Sequence, residues 1–465
     1  MRNVLTRRGR KPALSLPAGL PRHIVGLVVV FVCALMTGCG GSSSPPPSTM
    51  ISGIAVAVTP SSFTLGVGSN YQFSATVTGT SNTAVTWQVN GVAGGNSSAG
   101  SIDTTGFYIA PVTSPAGTIT VAAVSQADGS SSGTAAITLT ATDPLGTGAG
   151  TATSDQITCP VVAGVAAGTC YSVALSCPGI SDLNGYLWVN MPSGTPIGTV
   201  LLTGGANSEG LYADPNILTY GANVVNGLLE AGYITVQTSF GGVFTTTQPY
   251  GWQTGPGGLR RVACRYPTLV KWVQENIAPS TVPLCATGTS AGAGLIGYAM
   301  AHYGGTSLFK MVEPTSGPPF SRLDYSCECN QPDLPDPCVA GQLLTQCVGP
   351  KNAQDYIDPA YSTPTTTSTI CSGDETSHST ANAAQFLSDS ILSPEATLTY
   401  PGTYVHFAWG GQDTSSAPVM GQLWEEVITP ASGTAFACVA DAPHDMADVL
   451  DGAQQILNDL TNYCK

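Results

Sequence analysis

Two patterns of hydrophobic and polar positions divide the chain. Over residues 51–142, short runs alternate apolar and polar side chains, and Gly, Asn and Ser turns separate the runs. This period of two predicts an all-β sandwich. From residue 156 to 465, apolar runs alternate with helical stretches, which predicts a mainly parallel sheet covered on both faces by helices. The stretches 39–50 and 143–155, rich in small polar residues, glycine and proline, are typical of linkers.

The second region contains enough alternation to predict individual elements. Strands are expected at Gly185–Met191, Thr199–Thr203, Tyr233–Thr238, Val282–Ala286, Leu308–Glu313, Tyr404–Trp409 and Ala435–Val439. Helices are expected at Pro215–Ala231, Leu259–Asn276, Ala291–Tyr303, Met420–Val427 and Asp445–Asn462. Residues 315–398, rich in Cys, Pro, Thr and Ser, interrupt this rhythm and predict an insertion that caps one end of the sheet.

The first 38 residues have the features of an export signal. A basic stretch ends at Arg22, and a thirteen-residue apolar run, Ile24–Met36, follows it. That run is too short to span a bilayer but suits a signal peptide. The run ends in Leu-Met-Thr-Gly-Cys, which resembles the lipobox of bacterial lipoproteins. The resemblance implies a lipid on Cys39 and a membrane-anchored protein of the periplasm or cell surface. An ordinary cleaved signal is the alternative.

Charge and cysteine content limit the partners and the compartment. Beyond residue 38 the chain has eight basic residues against 28 acidic ones, which excludes an electrostatic nucleic-acid binder. Twelve cysteines lie between Cys159 and Cys464, an even number that predicts a disulfide framework in an oxidising compartment. Zinc at Cys327, Cys329 and Cys338 is disfavoured, since one residue between paired ligands is too few. The connectivity does not follow from the sequence.

The strongest chemical motif is Gly288-Thr-Ser-Ala-Gly292. It follows an apolar strand and begins a helix, the context that a G-x-S-x-G nucleophile elbow requires. Small neighbours let the Ser290 hydroxyl project from a tight turn, and the helix N-terminus favours developing negative charge. Ser290 is therefore the predicted nucleophile.

A serine nucleophile needs a base, and its base needs an orienting acid. Of the five histidines, His444 follows the last predicted strand, whereas His378 lies in the insertion. Asp413 follows a strand and two glycines, and the chain order Ser, Asp, His is that of the elbow hydrolases. Glu313, at the end of the preceding strand, is the rival acid.

Two family resemblances follow from these motifs. Residues 51–142 resemble the bacterial Ig-like domains of cell-surface proteins, with Trp87 expected in the core. Residues 156–465 resemble an α/β-hydrolase-fold serine hydrolase. That resemblance implies an oxyanion site formed by the N–H of Ala291 and by Gly205 or Ala206 in the loop after the strand Thr199–Thr203. It also implies acyl-ester hydrolysis with no cofactor or metal.

Three functions remain open at this point. They are an esterase, a peptidase or amidase of the same fold, and a surface binding protein without activity. The expected partner is an ester substrate, soluble, polymeric or surface-bound. Aromatic residues in Ser239–Phe244 and Pro249–Trp252 follow a strand on the ligand-binding side of such sheets. They suggest an apolar acyl or aryl group, or else they only pack the loops.

Overall fold

The computed structural model describes residues 53–66, 70–96, 98–111, 117–140, 150–177, 180–206, 208, 210–240, 242–244, 251–255, 257–362, 367–431 and 433–465. The predicted signal peptide, Cys39 and the first linker lie outside these residues. Most of the second predicted linker does as well. No helix in the described part of the chain has the length and the apolar character needed to cross a membrane.

The N-terminal unit is all-β. It has a five-stranded, a four-stranded and a two-stranded sheet around one core, in which Trp87 is buried. Its strands are Ala55–Thr59, Ser62–Gly66, Asn70–Gln72, Ser74–Thr78, Val85–Val89, Val92–Ala93, Gly95–Asn96, Gly100–Ile102, Phe107–Ile109, Ile119–Ser125 and Ser132–Thr140. The fully buried Phe73 lies between Asn70–Gln72 and Ser74–Thr78, which belong to different sheets.

The C-terminal unit is built on one nine-stranded sheet. Its strands are β1 (Thr151–Ile157), β2 (Thr169–Ser176), β3 (Leu183–Asn190), β4 (Gly198–Thr203), β5 (Tyr233–Phe240), β6 (Leu284–Thr289), β7 (Met311–Thr315), β8 (Tyr404–Gly410) and β9 (Ala435–Val439). The order across the sheet is β1-β2-β3-β5-β4-β6-β7-β8-β9. The six strands β4 to β9 are parallel, and β1, β2 and β3 pair antiparallel.

Ten α-helices accompany the sheet in the described residues. They are α1 (Gly221–Glu230), α2 (Leu259–Val262), α3 (Arg265–Asn276), α4 (Ala291–His302), α5 (Leu323–Glu328), α6 (Pro350–Tyr356), α7 (Ile370–Ser377), α8 (Ala383–Asp389), α9 (Ala417–Val427) and α10 (Leu450–Tyr463). One hydrophobic cluster packs α3 and α4 against the sheet, and a second packs α1 and α10. Both faces are therefore covered, as the pattern predicted.

The structure corrects several predicted boundaries. Residues 151–155 were expected in a linker, yet they belong to β1, whose side chains are mostly exposed and so lack an apolar pattern. The antiparallel strand β2 was also not predicted. β7 begins at Met311 instead of Leu308, because its pairing with β6 begins there, after the 3₁₀ turn of residues 305–307. The predicted helix Leu259–Asn276 is two helices.

All twelve cysteines beyond residue 158 are joined in disulfides. The pairs are Cys159–Cys170, Cys177–Cys264, Cys285–Cys464, Cys327–Cys371, Cys329–Cys347 and Cys338–Cys438. Two of these bonds lie within the predicted insertion, and one ties it to β9. Disulfides in this number are typical of proteins exported to an oxidising compartment.

The insertion carries α5 to α8 and packs beside the helix layer. Phe320 lies against Gly294 of α4, and the Tyr298 hydroxyl donates to the carbonyl of Asp389 at 2.8 Å. The N–H of Gly258 donates to Ala360. These contacts attach the insertion to α2 and α4, and its role as a cap over the sheet stays a prediction.

Candidate active site

Ser290 occupies a sharp turn between β6 and α4. Its backbone has φ 53° and ψ −115°, in the left-handed region that side chains rarely adopt. A Cβ on Gly288 would lie 2.6 Å from the backbone of Gly292, and one on Gly292 would lie 2.6 Å from the carbonyl oxygen of Gly204. Glycine is therefore required at both ends of the motif, and the strained turn presents Ser290 at the sheet's carboxyl edge.

His444 and Asp413 meet on two loops at the same edge of the sheet. His444 Nδ1 lies 2.8 Å from Asp413 Oδ2. The Asp413 side chain is 1% exposed and that of His444 is 36% exposed, so the acid is buried behind a base that remains accessible. The two loops approach so closely that a Cβ on Gly410 would lie 2.2 Å from the carbonyl oxygen of Pro443. Glycine at position 410 allows this approach.

The electrostatics of this pair suit a base held beside an acid. Burial opposes the charged form of His444, but the hydrogen bond and charge of Asp413, with the charge of Asp445, outweigh it and raise the pKa of His444. Burial likewise opposes ionisation of Asp413, but the bond to His444 and the Ser415 contacts lower the pKa of Asp413. The carboxylate therefore stabilises an imidazolium next to it.

The glycine loop after β4 lies beside Ser290. A Cβ on Gly205 would lie 3.3 Å from the Cβ of Ser290 and 3.6 Å from Oδ1 of Asp445. Ala206 has φ 47°, and the N–H of Ser208 donates to the carbonyl of Gly205. Ala291 begins α4, so its N–H is one of the helix's free donors. Gly205 and Ala206 both remain candidates for the second donor.

The other candidates lie elsewhere. Glu313, the rival acid, is fully buried near Thr287 and Asp459, so His444 is oriented by Asp413 instead. His378 is exposed at the end of α7. Among the described residues, no hydrogen bond joins the Ser290 hydroxyl to the His444 ring, a contact that often tightens only with substrate bound.

The aromatic residues near β5 pack within the protein. Phe244 is mostly buried, with its ring 5.9 Å from that of Tyr186. Trp252 is fully buried, 6.1 Å from the ring of Phe320. Residues 245–250 lie outside the described residues. Phe240, the third described aromatic of these segments, is fully buried as well. The three thus favour loop packing and give no support to an apolar acyl pocket.

Two serines contribute contacts that motif reasoning missed. The Ser316 hydroxyl donates to the backbone carbonyl of His444. The Ser415 N–H donates to Asp413 Oδ1 at 2.9 Å, and its hydroxyl lies 3.3 Å from His444 Nδ1. Ser316 directly follows β7, and Ser415 lies in the loop between β8 and α9. Their positions at strand ends were the available signal, but serine is too common to stand out there.

Comparison with known proteins gives low-similarity structural matches. No protein-family model and no curated protein matches the chain. An alpha-beta serine hydrolase homologue from Coxiella burnetii is 12% identical, with TM-score 0.34, over 66% of this chain and 97% of its own. Acetyl xylan esterase 1 from Thermoanaerobacterium is 13% identical, with TM-score 0.38, over 66% and 87%. A puromycin-hydrolysing peptidase from Mycobacterium tuberculosis is 14% identical, with TM-score 0.38, over 74% and 43%.

TM-scores below 0.5 carry no weight for the activity or substrate of this chain. The large mixed sheet, the helices on both of its faces and the strand–turn–helix geometry at Ser290 are features of its own structure. Together they give the C-terminal unit the architecture of an α/β-hydrolase fold.

Proposed function

We propose that the C-terminal unit is a serine hydrolase that cleaves carboxylic esters through an acyl-serine intermediate. The observation that carries this proposal is the strained Ser290 turn, at the same sheet edge as the Asp413–His444 hydrogen bond. A buried acid, an accessible imidazole and a serine on a glycine-flanked elbow are the parts that acyl transfer needs.

The reaction follows from these positions. The Ser290 hydroxyl attacks the ester carbonyl carbon while His444 takes its proton, and Asp413 stabilises the resulting imidazolium. The carbonyl oxygen becomes an oxyanion that accepts hydrogen bonds from the N–H of Ala291 and of Gly205 or Ala206. Collapse breaks the bond to the alcohol, which leaves with the proton from His444. Water then attacks the acyl-serine by the same route and releases the acid.

The remaining parts of the chain fit an exported, tethered enzyme. We propose a lipid on Cys39 as membrane anchor and the all-β unit, which we take as Ig-like, as a spacer. The disulfides support export. The lipid is tested by mass spectrometry of the mature N-terminus from membranes, with a Cys39→Ala variant as control. An unmodified N-terminus at another residue would overturn the lipoprotein assignment.

The activity is tested with a Ser290→Ala variant on a p-nitrophenyl ester, beside a peptide anilide. We expect the wild type to cleave the ester, and the variant to lose about 10³-fold or more in kcat with an unchanged melting temperature. Ser307→Ala, an exposed serine that bonds its own turn, is the matched control. Near-normal turnover by folded Ser290→Ala would overturn the proposal, and preference for the anilide would make the enzyme a peptidase.

A further inference from the structure

Three ionisable side chains converge beneath the last helix, apart from the Ser290 site. Glu313 comes from β7, His406 from β8 and Asp459 from α10. One ligand atom from each lies within 4.8 Å of the others. The residues are 0%, 7% and 5% exposed, so all three are removed from water.

The polar atoms of this cluster lack the partners that burial demands. Both carboxyl oxygens of Glu313 and the Nδ1 atom of His406 have no hydrogen-bond partner. Asp459 Oδ2 lies 3.1 Å from that Nδ1 atom, but its hydrogen bond comes from the side-chain amide of Gln455. Unpaired polar atoms in a core are strongly unfavourable, and buried acids are normally paired or bound to a metal. The two unpartnered oxygens of Glu313, beside the His406–Asp459 pair, therefore point to a missing common partner.

The donor atoms identify that partner as a cation. Carboxyl oxygens and an imidazole nitrogen are ligands for divalent ions, and here one from each residue converges within 4.8 Å in the core. A divalent ion at that point would be a common partner for the three side chains.

The donor set and spacing fit zinc. One imidazole nitrogen and two carboxylate oxygens are ligands that Zn²⁺ accepts, with bonds of about 2.0–2.2 Å. Tetrahedral bonds of that length hold adjacent ligand atoms roughly 3.3 Å apart, close to the 3.1 Å between His406 Nδ1 and Asp459 Oδ2. We infer that Glu313, His406 and Asp459 form a structural divalent-cation site of the zinc type.

Such a site would fasten the last helix to the centre of the sheet. β7 and β8 are neighbouring strands, and α10 packs on both. The Tyr463 ring lies over the His406 ring, with centroids 5.4 Å apart, and closes the site near the end of α10. Because the cluster does not contain Ser290, Asp413 or His444, the ion would act on stability and take no part in ester cleavage.

The test uses the full-length oxidised protein, stripped with EDTA, with free thiols shown to be absent. ZnCl₂ is then titrated while bound metal and melting temperature are measured. We expect one Zn²⁺ per chain and a rise in melting temperature of several degrees. Glu313→Gln and Asp459→Asn should each lose the bound ion and the zinc-dependent rise.

Glu375→Gln is the matched control, because Glu375 belongs to the other metal-compatible cluster of the described residues, with Cys329 and Cys347. It should keep the wild-type stoichiometry. Zinc binding lost in Glu375→Gln but kept in Glu313→Gln would overturn the assignment. A wild-type protein that binds no zinc and shows no thermal shift would also overturn the assignment, whether or not the variants fold. The buried carboxyl groups would then be satisfied by bound protons and not by a metal ion.

Discussion

The Ser316 hydroxyl donates a hydrogen bond to the backbone carbonyl of His444. The neighbouring Thr315 accepts the backbone N–H of Ser290 at 2.9 Å. Two consecutive residues at the end of β7 therefore hold the proposed nucleophile and the proposed base. Ser316 itself has φ 50°, a backbone conformation that is unusual for serine and aims its side chain at the His444 loop. The end of this strand thus positions the proposed catalytic groups, which come from two other loops.

Removing that hydroxyl should misplace the base without removing it. We expect Ser316→Ala to lower kcat about 3- to 10-fold, the value of one hydrogen bond of roughly 1 kcal/mol, with KM little changed. Steady-state kinetics on a soluble ester measure both parameters, with Ser307→Ala as control. An unchanged kcat would show that Ser316 does not position His444.

The acid can be identified by comparing two carboxyl residues. Asp413→Asn should lower kcat by about 10³- to 10⁴-fold, because the amide no longer holds the imidazole in the accepting tautomer or stabilises its charge. Glu313→Gln should retain turnover per folded molecule, since Glu313 lies away from His444. Rates are normalised by titration with a serine-reactive probe. The reverse ranking of the two variants would make Glu313 the catalytic acid.

The pH dependence of kcat/KM should report the charge beside His444. The base acts only when neutral, so activity rises with pH through the pKa of His444. That pKa lies above its ordinary value of about 6.5, because Asp413 and Asp445 outweigh burial. Asp445→Asn removes one negative charge, lowers the pKa of His444 and shifts the acidic limb to lower pH. The exposed Asp441→Asn should leave it in place, and a shift to higher pH in Asp445→Asn would contradict this account.

The edge strand β1 marks the N-terminal boundary of the C-terminal unit. A protein starting at Gly150 should keep its kcat/KM on small soluble esters, since the proposed site lies entirely beyond residue 200. A protein starting at Thr158 lacks β1, uncovers β2 and should melt several degrees lower. Calorimetry and ester kinetics on both proteins check this. A large activity loss in a folded Gly150 protein would show that the all-β unit shapes the active site.

The disulfides should differ in their effect on stability. Cys285–Cys464 closes a separation of 179 residues and Cys329–Cys347 one of 18. Loop-closure entropy assigns them about 5 and about 3 kcal/mol. Paired Cys→Ala replacements should therefore lower the unfolding free energy more for the first bond, as measured by denaturant titration. Equal losses would show that chain entropy does not determine their contribution.

The sequence alone was enough to predict the local parts of the proposed site. Ser290 was identifiable because a nucleophile elbow is a local structure, made by glycines at fixed spacing between a strand and a helix. Asp413 and His444 were identifiable because parallel strands bring the residues after them to one edge, so chain order predicts neighbourhood. The even cysteine count likewise predicted disulfides, but it could not predict which cysteines pair.

Only the tertiary structure decided the contacts between distant segments. The sequence pattern did not reveal β1, because an exposed edge strand has no apolar alternation, and the start of β7 depends on the ladder with its neighbours. Strand register and the packing of α10 decide which residues Ser316 contacts. They also decide that Glu313 lies beside His406 and Asp459 and away from His444. Register and packing arise from the sum of many weak contacts across the core, and no local pattern in the sequence encodes them.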